Sequence, residues 1–355
     1  MKVKALYEPA LDGIRGFAVL SVMVFHAIPV QVSGGFLGVD VFFALSGYLI
    51  TGLLLSEHLK TGKIDFWRFF AKRGFRLMPA LVSMLIVYGL MIWAFKPSAD
   101  LKNQGLDILA AFLYVTNWVR VANHNQVSDL GHTWSLGVEA QFYLVWPFIL
   151  VLLIRCFGFK RRLLIAVVSL AVFSYGIRYW LVHQGVDVSR VYNGTDARAE
   201  TVMWGAALAV TLRLDLTSPL VNAQKKAIWP TMLAWLSLAA LAVAIAKTQW
   251  LSDFYYQMGI TVVALLSIFL IGYLHLFENT FIRRIFEYKL VVWVGAISYG
   301  LYVWHFPIYQ MIISWGLDGW YLLSLGLLLT FVAAAISFYG LERPVLNWYK
   351  AKSNG

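Results

Sequence analysis

The sequence has few charged residues and almost no cysteine. Of its 355 residues, 13% are charged and 60% are hydrophobic, whereas a soluble globular chain has about 25% and about 45–50% of these. The single cysteine, Cys156, excludes an internal disulfide framework and any paired-cysteine metal or redox site. The seven histidines lack the paired spacing of a metal site, so no metal centre is predicted. These deficits exclude a soluble enzyme and a secreted disulfide-rich domain.

Long hydrophobic stretches fill most of the chain, and the mean hydropathy is +0.70. A membrane-spanning helix needs about 20 mainly apolar residues. Ten stretches reach or approach this length: 11–30, 36–55, 77–95, 134–154, 162–182, 200–214, 228–246, 256–274, 291–314 and 319–340. The shorter stretch 106–120 is predicted to be an interfacial or re-entrant helix. The sequence therefore predicts an all-α, polytopic transmembrane helix bundle of about ten spans, forming a single domain over residues 1–355.

Basic residues are unevenly distributed between the segments that join these spans. The chain has 29 lysines and arginines against 18 acidic residues, a net charge of +11. If the N-terminus is cytoplasmic, 22 of the 29 fall in inner segments and 6 in outer segments. Lysine and arginine concentrate in cytoplasmic loops of membrane proteins. We therefore expect both termini in the cytoplasm, and the positive charge does not require a nucleic acid partner.

The first predicted span carries three ionisable residues, Asp12, Arg15 and His26, on one helical face. Charged groups in a bilayer usually point into the protein. Asp40 lies near the start of the second span, so His26 and Asp40 flank one short turn, and we expect them to be in contact. Such a pair would orient an imidazole for general-base catalysis, or it would be a structural hydrogen bond that closes the hairpin.

The third predicted span begins with a basic cluster. Arg73 and Arg76 are three residues apart and share one face of the helix. Guanidinium groups bind phosphates through paired hydrogen bonds, so the cluster indicates a site for a phosphorylated cytosolic ligand. The alternative is anchoring of the helix at anionic lipid headgroups.

Polar and aromatic residues gather in the outer half of the fourth span: His132, Trp134, Ser135, Glu139, Gln141, Tyr143 and Trp146. This composition suits a sugar-binding surface, but an aromatic belt with a helix cap would look the same. His305 lies at a depth similar to that of His26, on a face shared with Ser298 and Tyr302. It is a candidate site residue or a helix-packing residue. Arg198 lies near the predicted outer surface and is a candidate for binding the acceptor.

Several motifs, taken in order, resemble acyltransferase family 3, a family of membrane O-acyltransferases. Its members include enzymes that acetylate bacterial O-antigen, exopolysaccharide, peptidoglycan and Nod factor, and some that acylate macrolides. The matching stretches are LDGIRGFAVLSVMVFH (11–26), GGFLGVDVFFALSGYLIT (34–51), the R-x-x-R of Arg73 and Arg76, TWSLGVEAQFYLVWP (133–147), TDARAETVMWGAALA (195–209), SYGLYVWHFP (298–307) and LERP (341–344). The resemblance covers nearly the whole chain.

The resemblance implies a cytosolic acyl-CoA donor, with acetyl-CoA favoured, and an extracytoplasmic glycan or lipid-linked saccharide as acceptor. It also implies a bacterial inner membrane, where membrane lipids surround the protein. The position that matches the family's catalytic histidine is His26. The residues expected to act with it are Asp40 and Glu139 as further catalytic residues, Arg15, Arg73 and Arg76 at the donor, and Trp134, Ser135, Arg198 and His305 at the acceptor. Some members of the family carry an additional C-terminal esterase-like domain that this sequence does not show, so we expect peptidoglycan to be a less favoured acceptor.

Two other functions fit the same residues. His26, Asp40 and Glu139 would form the proton relay of a proton-coupled transporter or flippase, although the inverted repeats common in transporters are not evident. A lipid-binding structural protein would use its arginines for headgroups alone. Within the transferase interpretation, His26 is either a general base or a nucleophile that forms an acyl-histidine.

Overall fold

A computed structural model of the chain describes residues 8–95, 101–122, 129–216 and 228–354, and every regular element within them is helical. The α-helices are α1 Pro9–Ala27, α2 Gly38–Thr61, α3 Phe66–Phe95, α4 Leu101–Phe112, α5 Thr116–Ala122, α6 Trp134–Phe157, α7 Arg161–His183, α8 Val188–Asn193, α9 Thr195–Arg213, α10 Trp229–Lys247, α11 Ile260–Leu276, α12 Phe281–Phe286, α13 Lys289–Ala296, α14 Ser298–Ser314, α15 Gly319–Ser337 and α16 Arg343–Asn354. Short 3-10 turns precede α2 and α6, and π-helical turns precede α11 and α16. The all-α prediction is confirmed.

Eight helices in the described ranges are long and apolar enough to cross a membrane. A ninth span results if α13 and α14, which are bent by 67° relative to each other, cross together. The predicted span at 200–214 belongs to α9, which has 19 residues but does not qualify by composition. Its charged residues include Asp196, Arg198 and Glu200. The count from the structure is therefore eight or nine, where about ten were expected.

The stretch 106–120 forms the end of α4 and most of α5, which have 12 and 7 residues. A turn separates them, and within it Tyr114 has a φ of 56°. Neither helix is long enough to cross a bilayer alone. Several basic residues used in the orientation argument, namely Lys2, Lys4, Lys96, Lys225 and Lys226, lie outside the described residues.

The direction of the first helices defines two sides of the bundle. We call the side on which α1 begins and α2 ends the near side, and the opposite side the far side. Helix α3 therefore begins at the near side, and α6 runs from the far side, at Trp134, to the near side, at Phe157. The sequence predicts that the near side is cytoplasmic.

Helices α2 and α9 cross closely at the centre of the bundle. A Cβ atom on Gly47 of α2 would overlap the carbonyl of Val202, and one on Gly205 of α9 would overlap the carbonyl of Ala44. Glycine at both positions lets the two backbones touch, as is common where helices cross within a membrane.

The charged side chains in the first half of α9 all have partners on other elements. Arg190 binds Asp196 with two hydrogen bonds of 2.8 and 2.6 Å. Burial raises the pKa of Asp196, but these bonds and the charge of Arg190 outweigh it, so the pKa lies below its usual value. Arg178 of α7 pairs with Glu200 at 2.5 Å. Because buried charges are tolerated only when paired, these contacts explain how α9 packs in the core.

Candidate functional site

An arginine-lined cavity lies inside the bundle, between α1, α2, α3, α6 and α14. We call it the arginine chamber. Its volume is about 60 Å³, and its main polar lining residues are Arg15, Ser46, Arg73, Arg76, Ser135, Glu139, Tyr143, Ser298, Tyr299 and Tyr302. The chamber collects residues from five helices that are far apart in the sequence.

Positive charge in the arginine chamber is only partly balanced. Arg15 pairs with Asp12 at 3.4 Å. Within the described part of the chain, neither Arg73 nor Arg76 has a carboxylate within 4.0 Å, and the buried Nε of Arg73 has no hydrogen-bond partner. The guanidinium of Arg73 lies 5.9 Å from the ring centre of Tyr143. Such guanidinium groups are suited to an anionic ligand that supplies the missing acceptors.

Glu139 is the carboxylate inside this chamber. Ser46 donates a hydrogen bond of 2.6 Å to Glu139 Oε1, and the hydroxyl of Tyr143 donates to Ser46 Oγ at 3.0 Å. The sequence placed Glu139 in an outer cluster with His26 and Asp40. The structure instead groups it with the arginines, because α6 turns this face toward Ser46 of α2.

A second cavity continues from the arginine chamber to the near side. It has a volume of about 390 Å³ and shares Arg15, Arg76, Ser298 and Tyr299 with the chamber. Glu8, Asp12, Glu342, Arg343 and Lys350 also line it. Because the two cavities share these four residues, they adjoin, with the larger cavity at the near side and the smaller one further inside. We call the pair the passage.

Three histidines meet beyond the inner end of the chamber. The ring of His305 lies 5.1 Å from that of His26 and 5.3 Å from that of His132. Phe306 contacts His26 and His132, with ring centres 5.0 and 5.2 Å apart. His305 and His132 are buried, whereas His26 is partly exposed. The three residues connect to the chamber through Tyr302, whose hydroxyl donates to the His132 carbonyl at 2.9 Å.

The hydrogen bonds of this cluster determine where the imidazole protons lie. His305 Nδ1 is 2.6 Å from the Tyr302 carbonyl oxygen, which can only accept, so Nδ1 carries the proton. In neutral His305, Nε2 is then an acceptor, and His26 Nδ1 donates to it at 3.2 Å. This leaves His26 Nε2 without a proton. By the same argument, His132 Nε2 donates to the Val303 carbonyl at 3.1 Å.

This bonding pattern bears on metal binding. Both ring nitrogens of His305 are engaged, one as a donor and one as an acceptor, so neither offers a lone pair to a cation. Within the described ranges, no group of three or more histidine, cysteine, aspartate or glutamate residues is arranged to hold a metal ion.

Asp40 does not make the contact expected from the sequence. Its two carboxylate oxygens accept hydrogen bonds from Arg198 Nη2 at 2.6 Å and from the Tyr255 hydroxyl at 2.9 Å, while His26 bonds to His305. The prediction of a contact between His26 and Asp40 was therefore wrong. The reason is the packing of α9 against this face of α2. Asp40 is fully buried there, and its cationic partner, Arg198, belongs to α9.

The four candidate acceptor residues fall into different environments. Arg198 is fully buried, pairs with Asp40 and lies over the Tyr192 ring at 4.9 Å. Trp134 is 4% exposed and packs on the same Tyr192, so neither residue faces a described cavity. Ser135 lines the arginine chamber and bonds to the Tyr302 hydroxyl at 2.7 Å. His305 belongs to the histidine cluster.

Two residues of the site were not singled out as site residues from the sequence. Tyr302 was assigned to a helix face, and His132 only to a polar stretch, yet together they connect the chamber to the histidines. The available signal was the spacing of Tyr302 and His305, which places both side chains on one face of α14. No signal pointed to His132, because it comes from a different helix end.

The proposed relay of a transporter is not supported. His26, Asp40 and Glu139 belong to three separate groups of hydrogen-bonded residues, centred on His305, Arg198 and Ser46. Proton relays require ionisable groups that follow one another along a path.

The fold and the internal site define a polytopic membrane protein with an arginine chamber that hydrogen bonds of Tyr302 link to a histidine cluster. The sequence profile of the acyltransferase domain family matches residues 8–341. The chain belongs to this family, acyltransferase family 3, as its motifs predicted.

Three bacterial relatives are similar over nearly the whole chain. The peptidoglycan O-acetyltransferase OatA of Listeria monocytogenes is 33% identical, over 97% of this chain and 57% of its own length. The putative O-acetyltransferase SAS0844 of Staphylococcus aureus is 34% identical, over 97% and 59%. The O-acetyltransferase OatA of Staphylococcus aureus is 32% identical, over 96% and 57%. The chain thus spans less than two thirds of these relatives' length. No solved structure matches it.

Proposed function

We propose that this protein is a membrane O-acetyltransferase that moves an acetyl group from acetyl-CoA, bound from the cytoplasm, to a hydroxyl of an extracytoplasmic saccharide in a bacterial inner membrane. The observation that carries the proposal is the chain of hydrogen bonds that joins the arginine chamber, through Tyr302 and His305, to the partly exposed His26. Family membership and the names of the relatives agree with this activity.

The passage accounts for the two parts of the donor. Arg15 and Arg76 border both cavities and Arg73 lines the chamber, which supports binding of the donor's phosphates by these guanidinium groups where the two cavities meet. In this proposal the larger near-side cavity, of about 390 Å³, holds the nucleotide, and the smaller chamber, of about 60 Å³, takes the slender thioester arm. In this arrangement Glu139 keeps the narrow part polar and limits its positive charge.

His26 is proposed as the general base. The acceptor hydroxyl gives its proton to His26 Nε2 while the hydroxyl oxygen forms a bond to the carbonyl carbon of the thioester. The carbon–sulfur bond breaks, and the leaving thiolate takes the proton from the imidazolium. The products are the acetyl ester and free CoA, and His26 returns to its neutral form.

The competing chemistry is an acyl-histidine, in which His26 Nε2 itself attacks the thioester. The two differ before acceptor is added. An acyl-enzyme forms from acetyl-CoA alone and releases one equivalent of CoA, whereas direct transfer releases none. A rapid-mixing measurement of thiol release without acceptor separates them.

The proposal is tested by acetyl transfer and acetyl-CoA binding with purified protein in lipid nanodiscs. His26→Ala should lower the transfer rate by about 10²–10⁴-fold, the usual contribution of a general base, and should still bind acetyl-CoA. Arg76→Ala should weaken acetyl-CoA binding by about 10- to 100-fold, the loss of one charged hydrogen bond. Arg68→Ala, an exposed arginine on the same helix outside the chamber, is the matched control. Wild-type transfer by folded His26→Ala, or unchanged acetyl-CoA affinity in the Arg73/Arg76 double alanine variant, would refute the proposal.

A further inference from the structure

A third cavity, with a volume of about 530 Å³, lies at the far side of the bundle. Its walls come from the last third of α3, the end of α14 and the residue Asp129 ahead of α6. The lining residues are Tyr88, Met91, Ile92, Asp129, Pro307, Met311, Ser314 and Trp315. None of them lines the arginine chamber or the near-side cavity. We call this space the far-side cavity.

On α14, one histidine of the cluster stands between the residues that line the arginine chamber and those that line the far-side cavity. Along α14, Tyr302 lines the chamber, His305 belongs to the cluster, and Pro307 and Met311 line the far-side cavity. Tyr302 and Met311 are about 14 Å apart along the helix axis. Pro307 follows Phe306, whose ring contacts His26.

Helix α3 lines the same two spaces in the same order. Arg76 lines the chamber, and Tyr88, about 18 Å further along the helix, lines the far-side cavity. Two helices thus line the arginine chamber with one part of their length and the far-side cavity with another, and on α14 His305 stands between the two parts.

The lining of the far-side cavity combines an aromatic face with a few polar groups, which is typical of a small-ligand site. Trp315 is 58% exposed, and Ser314 at the rim is exposed as well. Asp129 Oδ2 accepts a hydrogen bond of 3.1 Å from the hydroxyl of Tyr88, which also lies 2.6 Å from Gln104 Oε1. The hydroxyl of Ser314 donates to the Met311 carbonyl at 2.6 Å, which leaves its oxygen able to accept.

These groups favour a saccharide over a lipid chain. A sugar ring has a C–H face that packs on an indole and hydroxyls that donate to a carboxylate. An alkyl chain would cover the exposed Ser314 hydroxyl without offering it a hydrogen bond, which is unfavourable. The methionines give the wall a flexible apolar surface that adapts to the ligand.

We infer that the far-side cavity binds a saccharide unit of the acceptor, with its ring against Trp315 and its hydroxyls at Asp129 and Ser314. One hydroxyl of the bound unit then faces the partly exposed His26. The inference rests on the proposed acetyl transfer, and it replaces Trp134 and Arg198 as acceptor contacts, since both are buried and paired elsewhere.

The test blocks the cavity chemically. Cys156 is the single cysteine and is exposed, so Cys156→Ser gives a cysteine-free background into which Met311→Cys is introduced. Right-side-out membrane vesicles carrying the variant are loaded with radiolabelled acetyl-CoA, and a bulky, membrane-impermeant methanethiosulfonate is added outside. Base-labile label is then counted in the saccharides of the vesicles' own envelope. We expect modification at position 311 to lower transfer by about tenfold or more, since it removes a contact surface of the ligand.

The matched control is Trp320→Cys in the same background. Trp320 is 64% exposed at the start of α15 and does not line the far-side cavity, so its modification should leave transfer unchanged. The inference is overturned if position 311 is modified without loss of transfer, if it does not react at all, or if modification at position 320 blocks transfer equally. Acetyl-CoA binding by the modified protein separates the two proposals. If only the cavity proposal is wrong, the modified protein still binds acetyl-CoA and still transfers acetyl groups. If the unmodified protein does neither, the transferase proposal itself is refuted.

Discussion

His305 controls which nitrogen of His26 is available to accept a proton. Its Nδ1–H is held by the Tyr302 carbonyl, so its Nε2 accepts from His26 Nδ1 and leaves His26 Nε2 free. In metal sites, a partner that fixes the tautomer of a ligating imidazole typically contributes one to two orders of magnitude, and we expect a contribution of similar size here. His305 is therefore a positioning residue in the proposed reaction.

We expect His305→Ala to lower kcat for acetyl transfer by about 10- to 100-fold and to leave the KM for acetyl-CoA unchanged. His305→Gln should recover part of the loss, because its amide oxygen can accept from His26 Nδ1. Steady-state kinetics on both variants check this. Equal loss in the two variants, or a rise in the donor KM, would assign His305 a packing role.

Asp40 and Arg198 form a buried ion pair, and removing one partner should lower the stability of the folded protein. Asp40→Ala leaves the Arg198 guanidinium buried without its counter-ion, which costs about 3–5 kcal/mol. Asp40→Ala combined with Arg198→Met removes both charges, so the double variant should be more stable than the single one. Thermal unfolding in detergent measures the difference. A stable Asp40→Ala protein that has lost transfer would instead return Asp40 to a catalytic role.

At the scale of the helices, the crossing of α2 and α9 depends on small residues. Gly47 leaves no room for a Cβ atom beside the carbonyl of Val202, whereas a Cβ atom on Gly52 of the same helix meets no atom within 4 Å. The two glycines therefore provide a matched comparison on one helix.

We expect Gly47→Ala to lower the accumulation of folded protein sharply, because the added Cβ atom would force α2 away from α9 and separate Asp40 from Arg198. Gly52→Ala should accumulate and transfer acetyl groups like the wild type. Fluorescence-detected size-exclusion chromatography of tagged variants checks both. Normal accumulation of the Gly47→Ala protein would contradict the crossing described above.

The bend between α13 and α14 also matters at this scale. The sequence predicted one continuous span over 291–314, but the two helices differ in direction by 67°. Ser298 and Tyr299, at the start of α14, line both the arginine chamber and the near-side cavity. The break thus brings a helix start to the entrance of the passage.

For the whole molecule, the proposed function requires the near side to face the cytoplasm. Cys156 reports on this directly, since it is exposed at the end of α6 that lies on the near side. We expect a membrane-impermeant maleimide to label the wild-type protein in inverted vesicles and to leave it unlabelled in right-side-out vesicles. The reverse pattern would invert the orientation and, with it, the assignment of donor and acceptor sides.

The sequence by itself determined the helices and their faces. Hydrophobic length identified eight or nine of the ten predicted spans, and helical periodicity placed Arg15 and His26 on one face of α1 and Arg73 and Arg76 on one face of α3. These inferences held because the bilayer requires each spanning segment to satisfy its backbone hydrogen bonds within a helix. The family motifs then led to the same residues.

Only the tertiary structure decided which faces meet. Asp40 was expected beside His26 across a short turn, but α9 packs on that face of α2 and supplies Arg198, a stronger partner for a buried carboxylate. His26 instead forms a hydrogen bond with His305, which is 279 residues away in the chain. Glu139 likewise lies with the arginines because of the face that α6 turns toward Ser46 of α2. Periodicity within one helix fixes a direction for each side chain, whereas the neighbour in that direction depends on how all the helices pack.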